Sequence, residues 1–536
     1  RPMDRTMFKV FTPGFLAVVA TTALATDRPP GQGPDLKTAN DPQEVLEQVR
    51  TEYGSAEGPA RVRVIAPSRS PIRRGHGGWQ VYDRAGRAQF RLEIPTTPKI
   101  VEVPGERLPE APERWGLLYG LRRQYSRNEN LIRLQSAWSA KGLRVVSDVH
   151  MLAQVSEPIF DLDVMQPLND AVEEFRRVVM APISATFEPS ISYLYQHATE
   201  VREGFSSARS TLYYGIDGAV TLWSDPDTSG RIVYNVQAQS GVFTAVQPFL
   251  GTAVGSPMLM NNMLVSSDFN LYMLYYVQEL FDRKVRISIG KFEDQVFFDR
   301  NAIAYNPGTQ FLYEGFNQSI TNPFPGYAFG VMATWDLHPQ LSIRAGTMNS
   351  EGTGTSTGFE NLAADHLFSM IELDYQHLHQ LGSWLYEGNY RFMFWYNSIG
   401  RTGTGKSPRD AAGWGATFNM DQRLPSDVVT FCRVGWGENE VTASNFSVSA
   451  GFGLENFLGR QGDCLGFAGS WSKLTGLGRY QVGLPPTPGD QTVFELFWRI
   501  NMTDTLQVSP VLQYLADSGA DIDGSLIWGL RSIWSF

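Results

Sequence analysis

Cysteine is nearly missing from this chain: Cys432 and Cys464 are the two in 536 residues. Both fall in strand-like segments two strands apart, about 9–10 Å from each other and beyond disulfide reach. Two free thiols are expected, and a disulfide scaffold is excluded. Histidine is also sparse, at seven. His377 and His379 alternate along one strand-like run rather than forming a ligand cluster, so neither a metal nor a cofactor is expected. No histidine pairs by strand position with a nucleophile, so no catalytic residue is assigned and an enzyme is not expected. Beyond the N-terminus no apolar run approaches about 18 residues, which excludes spanning helices. Cations are short as well: 45 lysines and arginines stand against 55 acidic residues. From residue 186 onward the ratio is 20 to 33. That balance argues against nucleic acid, which needs a basic face, and favours cationic or neutral solutes over anions.

What the chain does have is glycine, aromatics and alternation. It holds 51 glycines and 12% aromatics, with an ordinary mean hydropathy of −0.22. Residues 524–536 show the pattern in its clearest form. Leu526, Trp528, Leu530, Trp534 and Phe536 form one apolar face, whereas Gly529, Arg531 and Ser535 lie on the other. That is a strand period. An outward face rich in aromatics and an inward face carrying charge fit a membrane barrel, whose strands meet lipid on one side and water on the other. Only closed barrels and helices can cross lipid with every backbone group satisfied.

The N-terminal part reads differently. Residues 1–25 have the layout of a signal peptide: Arg1, Arg5 and Lys9, an apolar stretch over 10–20, then Ala23-Leu24-Ala25 as the cleavage site. Residues 26–112 read as a linker with a small β-unit formed by runs at 61–65, 78–81 and 88–94. Residues 113–185 read as a helical periplasmic segment, with helices expected over 113–123 and 161–180. In the second of these, Val164, Leu168, Ala171, Val172, Phe175 and Val179 recur at helical spacing opposite Asp170, Glu173, Glu174, Arg176 and Arg177. That helix is free to pack on the barrel mouth, bind a partner or pair with itself; packing is the plainer reading.

Sixteen strand-like segments follow, at about 186–197, 208–223, 230–240, 269–279, 283–293, 326–337, 340–349, 367–379, 384–399, 411–421, 427–437, 445–455, 463–473, 490–502, 505–515 and 524–536. Connections after the even-numbered segments are short and turn-like. Those after the odd ones reach 28 residues at 241–268 and 32 at 294–325. Sorting of turns to one rim and loops to the other marks an outer-membrane barrel. The expectation is an all-β transmembrane fold: a 16-stranded antiparallel outer-membrane β-barrel over 186–536, with a mixed, partly disordered N-terminal periplasmic extension.

If alternation holds, the channel-lining side chains are Arg286, Arg344, Glu372, Asp374, Glu387, Arg391, Arg433, Glu495, Arg499 and Arg531. Charges of both signs along a pore orient dipolar solutes and set ion preference. The competing reading is that they pair with one another across the wall. Loop 294–325 is too apolar for free display and is the expected constriction, through Phe297, Phe298, Asp299, Arg300, Asn301, Tyr305, Asn306, Phe311, Tyr313 and Glu314. Its aromatic faces suit sugar C–H faces, with the polar side chains placed for hydroxyls. Alternatively, those aromatics pack the folded loop against the inner wall. Strand 269–279 is aromatic on both faces, and its register stays open.

The region 271–351 resembles the carbohydrate-selective porin OprB family. The resemblance is carried by Leu274-Tyr275-Tyr276-Val277-Gln278-Glu279-Leu280-Phe281, by Ile287-Ser288-Ile289-Gly290-Lys291-Phe292 with Phe297-Phe298-Asp299 and Tyr305-Asn306, and by Asn322-Pro323-Phe324-Pro325-Gly326-Tyr327. Ser509-Pro510-Val511-Leu512-Gln513-Tyr514 and Gly529-Leu530-Arg531 resemble the same family's closing hairpin. The resemblance implies passive diffusion of mono- and oligosaccharides and other small polar solutes through the bacterial outer membrane. Its implied partners are those solutes and outer-membrane lipid, with periplasmic or cell-wall contact through 26–185. An outer-membrane anchor or adhesin, or a barrel hydrolase without a conducting pore, remains the alternative.

Overall fold

The computed structural model describes residues 159–160 and 164–536, apart from 226, 243–249, 264–267, 339, 360–365, 382–383, 399–400, 403–404, 407–411, 517–521 and 523. It also describes the backbone of Ile72–Gly75, Gly78–Tyr82, Ala88–Leu92 and Arg144–Val146. The first three of these short strands pair in sequence order as an antiparallel sheet. The expected run at 61–65 and the helix expected at 113–123 lie outside the described residues, as do 1–25.

Sixteen strands close into one barrel. They are β1 (Ala185–Ala198), β2 (Ala208–Ser224), β3 (Ser229–Gly241), β4 (Asn270–Leu280), β5 (Val285–Glu293), β6 (Tyr327–His338), β7 (Leu341–Asn349) and β8 (Leu367–Leu381). The circuit continues through β9 (Trp384–Asn397), β10 (Gly413–Leu424), β11 (Val428–Gly437), β12 (Ser444–Glu455), β13 (Cys464–Leu474), β14 (Gly489–Asn501), β15 (Leu506–Ala516) and β16 (Ser525–Ser535). Each strand pairs antiparallel with the next, and β16 returns to β1 with Ile527 opposite Ala198 and Ser535 opposite Ser190. Every expected strand is present, and short turns and long loops lie on opposite rims. Arg144–Val146 adds a short parallel pairing to Trp384–Tyr386 at the start of β9.

Burial follows the alternation. Along β6, Ala328, Gly330, Met332, Thr334 and Asp336 are buried, whereas Trp335 and Leu337 are exposed. Along β14, Glu495 and Phe497 are buried between exposed Phe494 and Leu496. The exposed series is large and apolar around the circuit, including Leu373, Phe392, Trp414, Phe467, Leu512 and Leu530. Such a belt is stable only against acyl chains. Leu530→Arg is therefore expected to destabilise the inserted barrel by about 2–4 kcal/mol near the bilayer midplane. Urea titration in lipid vesicles reads this out, and an unchanged midpoint would remove Leu530 from the lipid face.

Strand β4 is aromatic on both faces because Tyr275 points in and its neighbour Tyr276 points out, and it also carries a bulge. The register with β3 jumps between Asn235 opposite Met273 and Val236 opposite Leu271, so Tyr272 is an extra residue. Tyr272 and Met273 are consequently both buried, and the outward series resumes at Leu274. A bulge switches the phase of alternation within one strand. The closing strand departs from expectation at its end: Leu526, Trp528 and Leu530 are exposed, but Phe536 is buried. Its backbone carbonyl accepts from Arg176 at the end of a helix, α1 (Gln166–Phe175). Cys432 and Cys464, on β11 and β13, are free thiols.

Candidate functional site

The inner wall between β5 and β11 carries arginines on β5, β7, β9 and β11, with carboxylates on the strands between them. Arg344 on β7 stands opposite Glu372 on β8, and Asp374 on β8 opposite Arg391 on β9. Arg344 bonds Glu372 and also Asp374 Oδ2 at 2.6 Å. Arg391 Nη1 donates to Asp421 Oδ1 at 2.7 Å, and its Nε lies 3.4 Å from Asp374. Arg286 pairs with Asp336 at 2.9 Å. Glu387 accepts from Gln376 at 2.5 Å and Asn389 at 3.2 Å. The ten side chains expected to line the channel all lie in the inward series, and most are buried in contacts. Arg391, Arg433 and Arg531 are 2%, 1% and 0% exposed. Asp421, Asn419, Gln513 and Gln491 belong to the same inner layer and were not singled out from sequence, although they too sit at inward positions of their strands.

The loop between β5 and β6 folds into the barrel and is what covers them. Asp299 is its main tether, accepting from Arg433 Nε at 2.8 Å, Asn419 Nδ2 at 2.7 Å and Ser319 N at 2.6 Å. Its own N–H donates to Glu372 Oε2 at 2.9 Å. Asp299 has φ +52°, a conformation that aspartate tolerates better than most residues. Arg433 also donates to the carbonyls of Phe316 and Asp299, at 2.6 and 3.0 Å. Asn301 reaches Asn419 at 2.8 Å.

The far side of the loop is held by other strands. Glu495 on β14 accepts from the backbone N–H groups of Leu312 and Tyr313 at 2.6 and 2.9 Å. Arg531 on β16 donates to the carbonyls of Pro307 and Gln310 at 2.5 and 2.7 Å. The loop thus leaves the wall at β5 and crosses the lumen to β14 and β16. Between the tethers its aromatics pack inward: Phe311 lies 4.8 Å from Phe497 and 5.2 Å from Phe316, and Phe297 lies 5.1 Å from Phe292. Phe298 and Tyr313 are fully buried. Tyr305, Asn306 and Glu314 stay half-buried, with the Arg300 guanidinium 5.4 Å from the Tyr305 ring centroid. Asp294, at the start of the loop, is fully buried, and burial followed by the nearby Glu293 charge pushes its carboxyl well above the ordinary range.

Two details show that the wall is shaped for the loop. A Cβ at Gly435 on β11 would meet the Ser319 and Thr321 hydroxyls at 2.2 Å, so only glycine lets the loop seat there. The preceding long loop, after β3, joins it: Asn262 N–H donates to Leu312 O, and Leu259 N–H to Glu314 Oε2, each at 2.9 Å. Gln513 Nε2 on β15 donates to Met260 O at 2.9 Å. Sequence reasoning expected one infolded loop; two interlock.

Residues 196–536 match the model of a family described as the carbohydrate-selective porin, OprB family. The chain belongs to the OprB family. Among solved structures, OprB of Pseudomonas putida at high pH superposes with a TM-score of 0.53 at 14% identity, covering 68% of this chain and 97% of that one. Its low-pH structure gives 0.40 at 12% identity, covering 68% and 96%. A triple mutant of Rhodopseudomonas blastica porin gives 0.42 at 10%, covering 66% and 100%. No curated protein matches the chain. An OprB-family porin is an outer-membrane barrel that passes small solutes by diffusion, and the pinned loops lie where that passage must narrow.

Proposed function

We propose that this OprB-family chain conducts neutral sugars through the lumen that its infolded loops narrow. The observation that carries the reading is the loop pinned across the lumen. Loop 294–325 crosses the lumen between tethers on β11, β14 and β16, and along it Tyr305, Asn306 and Glu314 stay half-buried rather than sealed. The passage runs past Tyr305, Asn306 and Glu314 of that loop. A half-buried aromatic beside amide and carboxylate groups suits a sugar, which offers an apolar ring face and a rim of hydroxyls.

The buried charges play a supporting part in this reading. Arg344, Arg391, Arg433, Glu495 and Arg531 hold the constriction in place, and Arg286 and Arg499 add field at its edge. Residues 1–25 direct export, and 26–185 are periplasmic. Liposome swelling is the test. Neutral mono- and disaccharides are expected to enter faster than anions of matched size; exclusion of sugars with free passage of small anions would overturn the reading.

A further inference from the structure

Helix α1 divides its surface three ways. At about 100° per residue, Asn169, Val172 and Arg176 share one flank, and all three are buried. A second flank carries Val164, Leu168, Phe175 and, in the turn that follows, Val178 and Val179. All five are exposed, Val164 at 75%. Asp170, Glu173, Glu174 and Arg177 occupy the third. The charges of the last two pair with each other at 2.5 Å in the open. Ile183, just before β1, extends the exposed apolar stripe.

The helix is held at the closing seam. Arg176 Nε donates to Phe187 O of β1 at 2.7 Å, and its Nη2 to Phe536 O just beyond β16. Ahead of the helix, the N–H groups of Ile159 and Phe160 donate to the carbonyls of Asn501 and Met502 at the β14–β15 turn, at 3.2 and 2.9 Å. These anchors all lie at the short-turn rim. Phe175 packs edge-on against Phe187 with ring centroids 5.1 Å apart. Phe187 stands opposite Gly218 in the series adjacent to buried Glu188 and Asp217, so it points outward. The apolar stripe of α1 is therefore continuous with the barrel's own lipid-facing belt.

We propose that α1 is an interfacial helix lying in the lipid leaflet at the short-turn rim. Its Val164–Leu168–Phe175–Val179 stripe sinks among acyl chains, its charged flank meets water, and Arg176 staples it to the seam. Barrel on one side, lipid on the second and water on the third account for all three flanks. A helix with segregated apolar and charged faces partitions to such a boundary. The inference rests on the membrane-spanning barrel and is independent of which solute the lumen passes.

The test uses the full chain inserted into vesicles of phosphatidylethanolamine and phosphatidylglycerol. With Cys432→Ala and Cys464→Ala in place, an environment-sensitive fluorophore is attached through Leu168→Cys, Glu174→Cys or, on the barrel, Leu530→Cys. Nitroxide lipids are expected to quench the Leu168→Cys label several-fold more than aqueous iodide does, as for Leu530→Cys, with the order reversed at Glu174→Cys. Equal iodide access at Leu168→Cys and Glu174→Cys would overturn the proposal. Shielding of Leu168→Cys from both quenchers would also overturn it, because protein would then cover the stripe. If Leu530→Cys fails to report lipid, the barrel's placement falls and the helix's with it.

Discussion

Asp299→Ala is expected to widen the channel and weaken the barrel together. The substitution removes the acceptor that holds the Arg433 Nε at 2.8 Å, the Asn419 amide and the Ser319 N–H. Arg433, 1% exposed, would be left without its carboxylate. Breaking a buried pair by removing one partner costs about 3–5 kcal/mol, because the remaining charge stays buried and uncompensated. Alanine at a φ of +52° adds backbone strain that aspartate tolerates. The least costly relaxation is for the loop to leave the β8–β11 wall and let water reach Arg433. Planar-bilayer recording should then show larger unitary conductance with more open-channel noise, and liposome swelling should admit larger sugars. Asp299→Asn should lie between, since it keeps the backbone preference and an acceptor oxygen but loses the charge. Unchanged conductance and an unchanged size limit in folded Asp299→Ala would show that the loop does not set the bore.

Arg391→Ala is expected to have a comparable effect on stability by the opposite route. Arg391 lies between Asp374 and Asp421, and Glu372 is on the neighbouring strand position of β8. Without the guanidinium, Asp374 keeps Arg344, while Asp421 is left with the Asn389 amide and the Ala302 N–H among the described contacts. The expected loss is again about 3–5 kcal/mol. Folded molecules should show stronger cation preference, read as the reversal potential across a KCl gradient. Arg391→Lys, which restores charge but not the forked geometry, should recover the reversal potential better than the unfolding midpoint. A variant with wild-type midpoint and wild-type reversal potential would mean that Asp374 and Asp421 need no such counter-charge.

Strand number and face were legible because each depends on a two-residue period that single sequences display. Trp335 against Asp336, or Leu496 against Glu495, needs no partner strand to be read. The same period fails where the backbone inserts a residue. At Tyr272 the bulge reverses inside and outside, and no local composition announces it. Partner choice was hidden for a different reason. Arg344 meets Glu372 because β7 and β8 slide into one register rather than another, and that offset is set by the closure of the whole sheet. Loop 294–325 was legible as apolar and long. Its crossing was not, since Glu495 lies 182 residues beyond Tyr313 in sequence. Phe536 falls on the lipid-facing side by alternation, yet it is buried, and its carbonyl accepts from Arg176 just after α1.

The seam between β1 and β16 joins residues more than three hundred positions apart. Among the sixteen strands all other neighbours follow one another in sequence, so fifteen hairpin contacts can form early and cheaply while the sixteenth must wait. Until it arrives, two long strand edges hang open, each a template for stray pairing with other chains. The moment of sealing is thus also the moment of safety, and the Arg176 side chain, reaching both edges, is positioned to slow their parting afterwards.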